Sequence, residues 1–295
     1  MSDAQVKIVK MAKPEVVIDT AKNGAITLRS PHPIDNYPDN QSEWLIRWAR
    51  ETPDRIFIAD RTGENGSWRK LTYKEFLANI LSIAQALLDR GLSVKRPVAI
   101  LSDNGIDNAL ILYSAMHVGI PVIPISPAYS LMSQDYGKLK AIVEAVTPGL
   151  IFVNDGYKFV NAISSLELDD TEIVVSTNPP EGITKVTLFD NLSSLSPKQE
   201  VDEAFSKVGP DSIAKILFTS GSTGQPKGVI NTQRMLCSNQ VAMVQVWQFL
   251  KDRPPVTVDW LPWNHTFGGN HNLNMILSNG GTIYVDGGKP APGLI

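Results

Sequence analysis

At 295 residues, with 43% hydrophobic and 19% charged positions, the chain has an ordinary globular composition and room for one large domain or two modest ones. A formal net charge of −3 with no block of Lys or Arg argues against nucleic acid and against an anionic membrane surface, which leaves small molecules as the expected partners. Cys237 is the single cysteine, so a disulfide framework and a thiolate metal site are excluded and a reducing, cytoplasmic setting is expected. Residues 1–7 lack the apolar centre of a signal peptide. The greasiest stretch, 109–125, is broken by His117, Gly119, Pro121 and Pro124, and reads as a buried helix turning into a buried strand.

Residues 1–40 are polar and Pro-containing and are read as an arm packed over a domain. Trp44, Leu45, Trp48 and Ala49 then recur at helical spacing, followed by a strand at 56–59. Thr72 and Glu75 form a capping box that opens a helix with Phe76, Ile80, Ile83, Ala84 and Leu87 on one face, and Gly91 is placed to end it. Next come a strand at 97–101, a helix at 106–117, a strand at 122–125, a helix at 134–145, a strand at 150–153, a helix at 157–165 and a strand at 172–175. Short apolar strands separated by single helices predict parallel βαβ units, hence an α/β class. Residues 179–182 and 193–200 read as linker, which divides the chain into a first α/β subdomain over 41–200 and a second over 201–295. In the second, a strand at 214–218 leads into a Gly- and Ser-rich loop, then a helix over 232–250, a strand at 256–261, a helix after Gly269 and a strand at 282–285.

That loop carries the strongest chemical signal. Residues 216–228 run from an apolar strand through Thr219, Ser220, Gly221, Ser222, Thr223 and Gly224 to Pro226, Lys227 and Gly228. Gly221 and Gly224 allow positive φ and inward-turned N–H groups, four hydroxyls add donors, and Lys227 adds charge: the ingredients of a phosphate cradle. A Walker A loop fits poorly, because Pro226 removes a backbone donor where its second glycine stands and Gly228 replaces the magnesium-holding Ser or Thr. The loop is expected between a strand and a helix, at a carboxyl strand edge where open α/β sheets bind ligands.

A second constellation, residues 260–272, is expected at the same edge and holds Trp263, His265, Phe267 and His271. A Trp beside a Pro is commonly core and a single His commonly a hydrogen-bonded neutral ring, so these residues alone leave core and pocket both open. The six-residue spacing of His265 and His271 fits no common zinc pattern, and Cys237, among Met235, Leu236 and Val241, reads as a small buried hydrophobe.

From Thr219 to Gly228 the loop resembles the T-S-G-S/T-T-G-x-P-K-G phosphate loop of adenylate-forming enzymes, the acyl- and aryl-CoA synthetases and their relatives, without a mismatch. Pro262, His265 and Gly268 match that family's P-x-x-H-x-x-G-like segment. From about Lys13 onward, in the stretches 126–139, 231–237 and 259–271, the chain is similar to the amino-terminal half of the feruloyl-CoA synthetases. The resemblance implies two doubly wound parallel-sheet subdomains, the second incomplete. It further implies ATP, Mg2+ and coenzyme A, and activation of ferulate or a related hydroxycinnamate to an acyl-adenylate. By carry-over, Thr219, Ser220, Gly221, Ser222, Thr223, Gly224 and Lys227 would grip nucleotide phosphates. Lys227 and His265 would act in the chemistry and His265 would line the acid pocket, while Trp263 and Phe267 are candidates for the apolar aromatic slot that a planar cinnamate needs. The family's Y-G-x-T-E and T-G-D segments are not found in the sequence, and no metal ligand is expected within it. The chain is therefore expected to be truncated and not competent alone. A synthetase for another fatty or aromatic acid, or a non-catalytic nucleotide- or acid-binding fragment, are the other readings.

Overall fold

The computed structural model describes residues 8–62, 66–219 and 225–287. The arm forms a hairpin, β1 (Val17–Thr20) and β2 (Ile26–Arg29). Then follow α1 (Ser42–Glu51), β3 (Ile56–Asp60), β4 (Arg69–Thr72), α2 (Tyr73–Asp89), β5 (Val98–Ile100), α3 (Ile106–His117) and β6 (Val122–Pro124). Further on lie α4 (Pro127–Leu131), α5 (Gly137–Val146), β7 (Leu150–Asp155), α6 (Gly156–Ser164), β8 (Glu172–Thr177), β9 (Val186–Leu188), α7 (Asp190–Ser193) and α8 (Gln199–Phe205). The last part holds β10 (Ile213–Thr219), β11 (Lys227–Thr232), α9 (Gln233–Val246), β12 (Val256–Asp259), α10 (Leu273–Ser278) and β13 (Thr282–Val285).

The helix signals act as the sequence suggests. At α2 the Thr72 hydroxyl accepts from Glu75 N–H and the Glu75 carboxylate accepts from Thr72 N–H at 2.8 Å, so two otherwise orphaned donors are satisfied. At its far end Gly91 takes φ +65°, with Leu92 N–H bonded to Leu87 O and Gly91 N–H to Leu88 O, the paired bonds of a Schellman stop.

Two larger sheets result. Seven strands run in the order β11-β10-β6-β5-β7-β8-β9, all parallel except β11 against β10; four run β12-β13-β3-β4, parallel except β4. Strand alternation then fixes two cores: Val98 and Ile100 enter one hydrophobic cluster while Ala99 and Leu101 enter the other, on the opposite face. The larger cluster gathers α2, α3 and strands of both sheets, and α3 is buried on nearly every side because its sequence is apolar all round.

Several expectations change in detail. The second α/β unit does not build a sheet of its own: β10 and β11 extend the larger sheet, while β12 and β13 join β3 and β4. Residues 227–232 form a strand rather than leading directly into a helix, because they pair antiparallel with β10 from Thr219↔Lys227 to Ile213↔Thr232. The helix expected over 232–250 ends at Val246 and resumes as a 3-10 turn at Gln248–Lys251, since backbone groups there bond the arm instead: Ala12 N–H to Val246 O and Phe249 N–H to Lys10 O. The helix expected from Gln134 begins at Gly137, after a turn in which Asp135 accepts from Gly137 N–H and Ser133 Oγ accepts from Tyr136 N–H. The expected linker at 193–200 is overlapped at its two ends by α7 and α8, helices too short to show a period. Among the described residues no helix is long and apolar enough to cross a membrane.

Candidate nucleotide and acid site

Ser220, Gly221, Ser222, Thr223 and Gly224 lie outside the described residues. Their flanks are well placed: Thr219 and Lys227 face each other across the β10–β11 hairpin, both exposed. Lys227 forms no ion pair among the described residues. Thr219 and Lys227 therefore sit on paired strands, and α9 starts only at Gln233. Gly228 stands opposite Phe218, and a Cβ there would come within 3.0 Å of Ile216 Cγ2, which explains a glycine after the lysine.

After β12 the chain turns through residues 260–266 into a π-helix, Phe267–Asn272, that runs into α10. Such single π-turns are often associated with functional sites. The turn is held by Asn104, just beyond β5, whose amide donates to Leu261 O at 2.8 Å and accepts from Trp263 N–H at 3.1 Å. Gly268 and Gly269 permit the close approach that follows: a Cβ on Gly268 would sit 2.5 Å from Pro262 O, and one on Gly269 would overlap Trp263 O. The Pro262–His265–Gly268 pattern is thus one folded turn, closed by His265 N–H to Pro262 O and Gly269 N–H to His265 O.

His265 and Phe267 are exposed, and both line a cavity of about 410 Å³ with Asn231, Met235, Asn270 and His271. His265 Nδ1 accepts from Phe267 N–H at 3.3 Å, which puts the neutral ring's proton on Nε2 and leaves that atom to donate. The Phe267 ring lies 4.9 Å from the His271 ring, which meets Trp247 edge-on at 5.5 Å, giving an aromatic wall. Trp263 departs from expectation: it is 1% exposed, belongs to the main core and does not line the cavity. Its backbone, pinned by Asn104 and packed under Gly269, shapes the turn, and its indole supplies core volume. Cys237 is buried, and burial pushes its thiol up to about 12, as expected for an inert hydrophobe.

Three residues that the sequence did not single out organise this wall. Lys215, on β10, is 0% exposed and donates to Gly269 O at 3.1 Å and Asn270 Oδ1 at 3.3 Å. Asn270 Nδ2 donates to Asn231 Oδ1 at 2.8 Å, and Gln240 Nε2, on α9, donates to Asn270 O at 2.8 Å. The one available signal was a lysine interrupting an apolar strand. Among the described residues no three His, Cys, Asp or Glu side chains group as a metal site. A larger cavity of about 560 Å³, lined by Arg96, Lys140, Asp170 and Thr171 among others, lies where chain enters β7 and β8. That is the amino-terminal edge of the parallel strands, opposite the edge that binds ligands in such sheets.

Comparison with known proteins agrees with this architecture. The chain is 28% identical over 247 residues to an indoleacetate–CoA ligase of Aromatoleum aromaticum, which covers 83% of this chain and 44% of the relative. The fold matches a fatty acyl-adenylate ligase from L. pneumophila, solved with acyl adenylate and pyrophosphate, at TM-score 0.62 and 18% identity, over 84% of this chain and 39% of that one. It also matches a long-chain-fatty-acid CoA ligase from Rhodopseudomonas palustris at TM-score 0.65 and 19% identity, over 84% and 57%. The chain thus spans less than two thirds of each. A sequence profile described as AMP-binding enzyme matches residues 45–293, and the chain belongs to that family.

Proposed function

We propose that the chain carries the ATP- and acid-handling part of an acid–thiol ligase that activates ferulate or a related hydroxycinnamate to an acyl-adenylate and passes the acyl group to coenzyme A. The observation that carries the reading is the continuity of β11, which bears Lys227 at the loop and Asn231 in the wall of the 410 Å³ cavity. Four residues at strand rise separate them by roughly 13 Å, so a phosphate end and an acid end share one element. The cavity falls within the roughly 300–1,000 Å³ usual for small-molecule sites. Its aromatic side, Phe267 and His271, suits a planar acid, and the relative named for indoleacetate acts on an aromatic acid.

A carboxylate attacking an α-phosphate meets anion–anion repulsion, and the leaving pyrophosphate gains charge in the transition state. The Lys227 ammonium and the Thr219 hydroxyl, paired across the hairpin, would lower that cost on the phosphates of bound ATP. With Nδ1 accepting from Phe267 N–H, the Nε2–H of His265 would donate to a carboxylate oxygen in the groove. Magnesium, if bound with ATP, would add charge neutralisation at the phosphates. ATP–pyrophosphate exchange by a full-length ligase that contains this chain, with a panel of hydroxycinnamic, indolic and fatty acids, tests the reading. Fastest exchange with hydroxycinnamates is expected; fastest exchange with a fatty acid would replace the substrate class.

A further inference from the structure

Lys215 is fully buried, faces no carboxylate among its bonded partners and is used by none of the chemistry above. Burying an ammonium without a counter-ion is costly, and an apolar residue in a central strand would avoid the cost, so its two bonds call for a reason. Both go to the π-helix, at Gly269 O and Asn270 Oδ1. Lys215 is also the cross-strand neighbour of Asn231, which takes a bond from the same Asn270 side chain. Asn270 is thereby held from β10, β11 and α9 at once, and Asn231, Asn270, His265, Phe267 and His271 all border the cavity.

We infer that Lys215 is a positioning residue: its amino group ties the strand that carries the phosphate loop to the π-helix that walls the acid groove, setting the groove's width and the placement of Phe267 and His271. The inference rests on the acid-groove reading for its effect on substrate, while the tie itself is independent of it. Burial also pulls the amine down to about 7, which eases its accommodation beside neutral oxygens.

The test is Lys215→Met in the 295-residue chain, followed by imidazole NMR and by calorimetry with ferulate and with ATP. His265 and His271 ring signals are expected to move while that of His32, on the arm against Glu15, stays in place. Ferulate affinity is expected to fall about ten-fold, the scale of a lost buried charged hydrogen bond, with ATP affinity within about two-fold. A folded variant with His265 and His271 signals unmoved overturns the tie, even where the parent chain binds ferulate. Moved signals in a chain that binds no acid keep the tie and defeat the acid reading. Should Lys215→Met fail to fold, 15N-lysine labelling of the unaltered chain decides: a slowly exchanging Lys215 amino signal that shifts on adding ferulate supports the inference, and one that ignores it overturns it.

Discussion

The two sides of the site are built by opposite means. On the proposed reading the phosphate side is a local device: a hairpin whose strands pair Thr219 with Lys227, an exposed cation with no ion pair among the described residues. The proposed acid side is assembled at long range, from a turn pinned by Asn104, a π-helix whose glycines press on Leu261, Pro262 and Trp263, and a buried lysine on a distant strand. A local device tolerates substitution in its fold and fails in its chemistry, whereas an assembled wall fails in both.

The sharpest separation comes from Lys227→Ala. The exchange rate should fall roughly 10²-fold or more, as for loss of a single group that stabilises transition-state charge. Stability in urea should change by less than about 0.5 kcal/mol, since the side chain is exposed and forms no ion pair among the described residues. Equal loss of stability would erase the contrast. On the acid side Gly269→Ala should cost about 1–3 kcal/mol in a denaturation curve, because its Cβ would overlap Trp263 O and lie 3.1 Å from that carbonyl carbon. An unchanged midpoint would mean that the turn relaxes freely.

This contrast also explains what could be read in advance. The Thr72 capping box and the all-round apolar α3 are local patterns and show in the sequence; the loop's glycines, hydroxyls and lysine also lie within ten consecutive residues, of which 220–224 lie outside the described residues. The hairpin did not show, because β11 is an edge strand whose Val229 and Ile230 are both half exposed, leaving no alternation to detect. Trp263 is a candidate for the acid slot as an aromatic ring, yet it lies in the core, its backbone N–H held by Asn104, more than one hundred and fifty residues earlier. Lys215 carried no recognisable spacing, since its partners Gly269 and Asn270 arrive through the fold alone. The sharing of both sheets between the chain's halves is likewise a matter of strand order, which periodicity does not encode.

Smaller effects refine the comparison. Burial lowers the Lys215 amine from 10.5 to about 7, so between those values the unfolded chain binds the proton and the folded chain does not. Stability from this group should therefore rise with pH from about 7 to about 10.5, with a slope of at most about 1.4 kcal/mol per unit, and Lys215→Met should flatten it. A slope unchanged by the substitution would assign it to other groups. Phe267→Ala, at a ring 51% exposed, should weaken ferulate about five-fold and leave the melting temperature and ATP affinity nearly alone. A stability loss as large as that of Gly269→Ala would make Phe267 a packing residue.

The most direct measurement is calorimetric titration of the 295-residue chain with ATP and with ferulate, repeated on Lys227→Ala and Phe267→Ala. One equivalent of each ligand should bind the parent chain, with Lys227→Ala weakening ATP alone and Phe267→Ala weakening ferulate alone. Both substitutions weakening the same ligand, or neither ligand binding the parent chain, would contradict a site built from a phosphate hairpin and a separate acid wall.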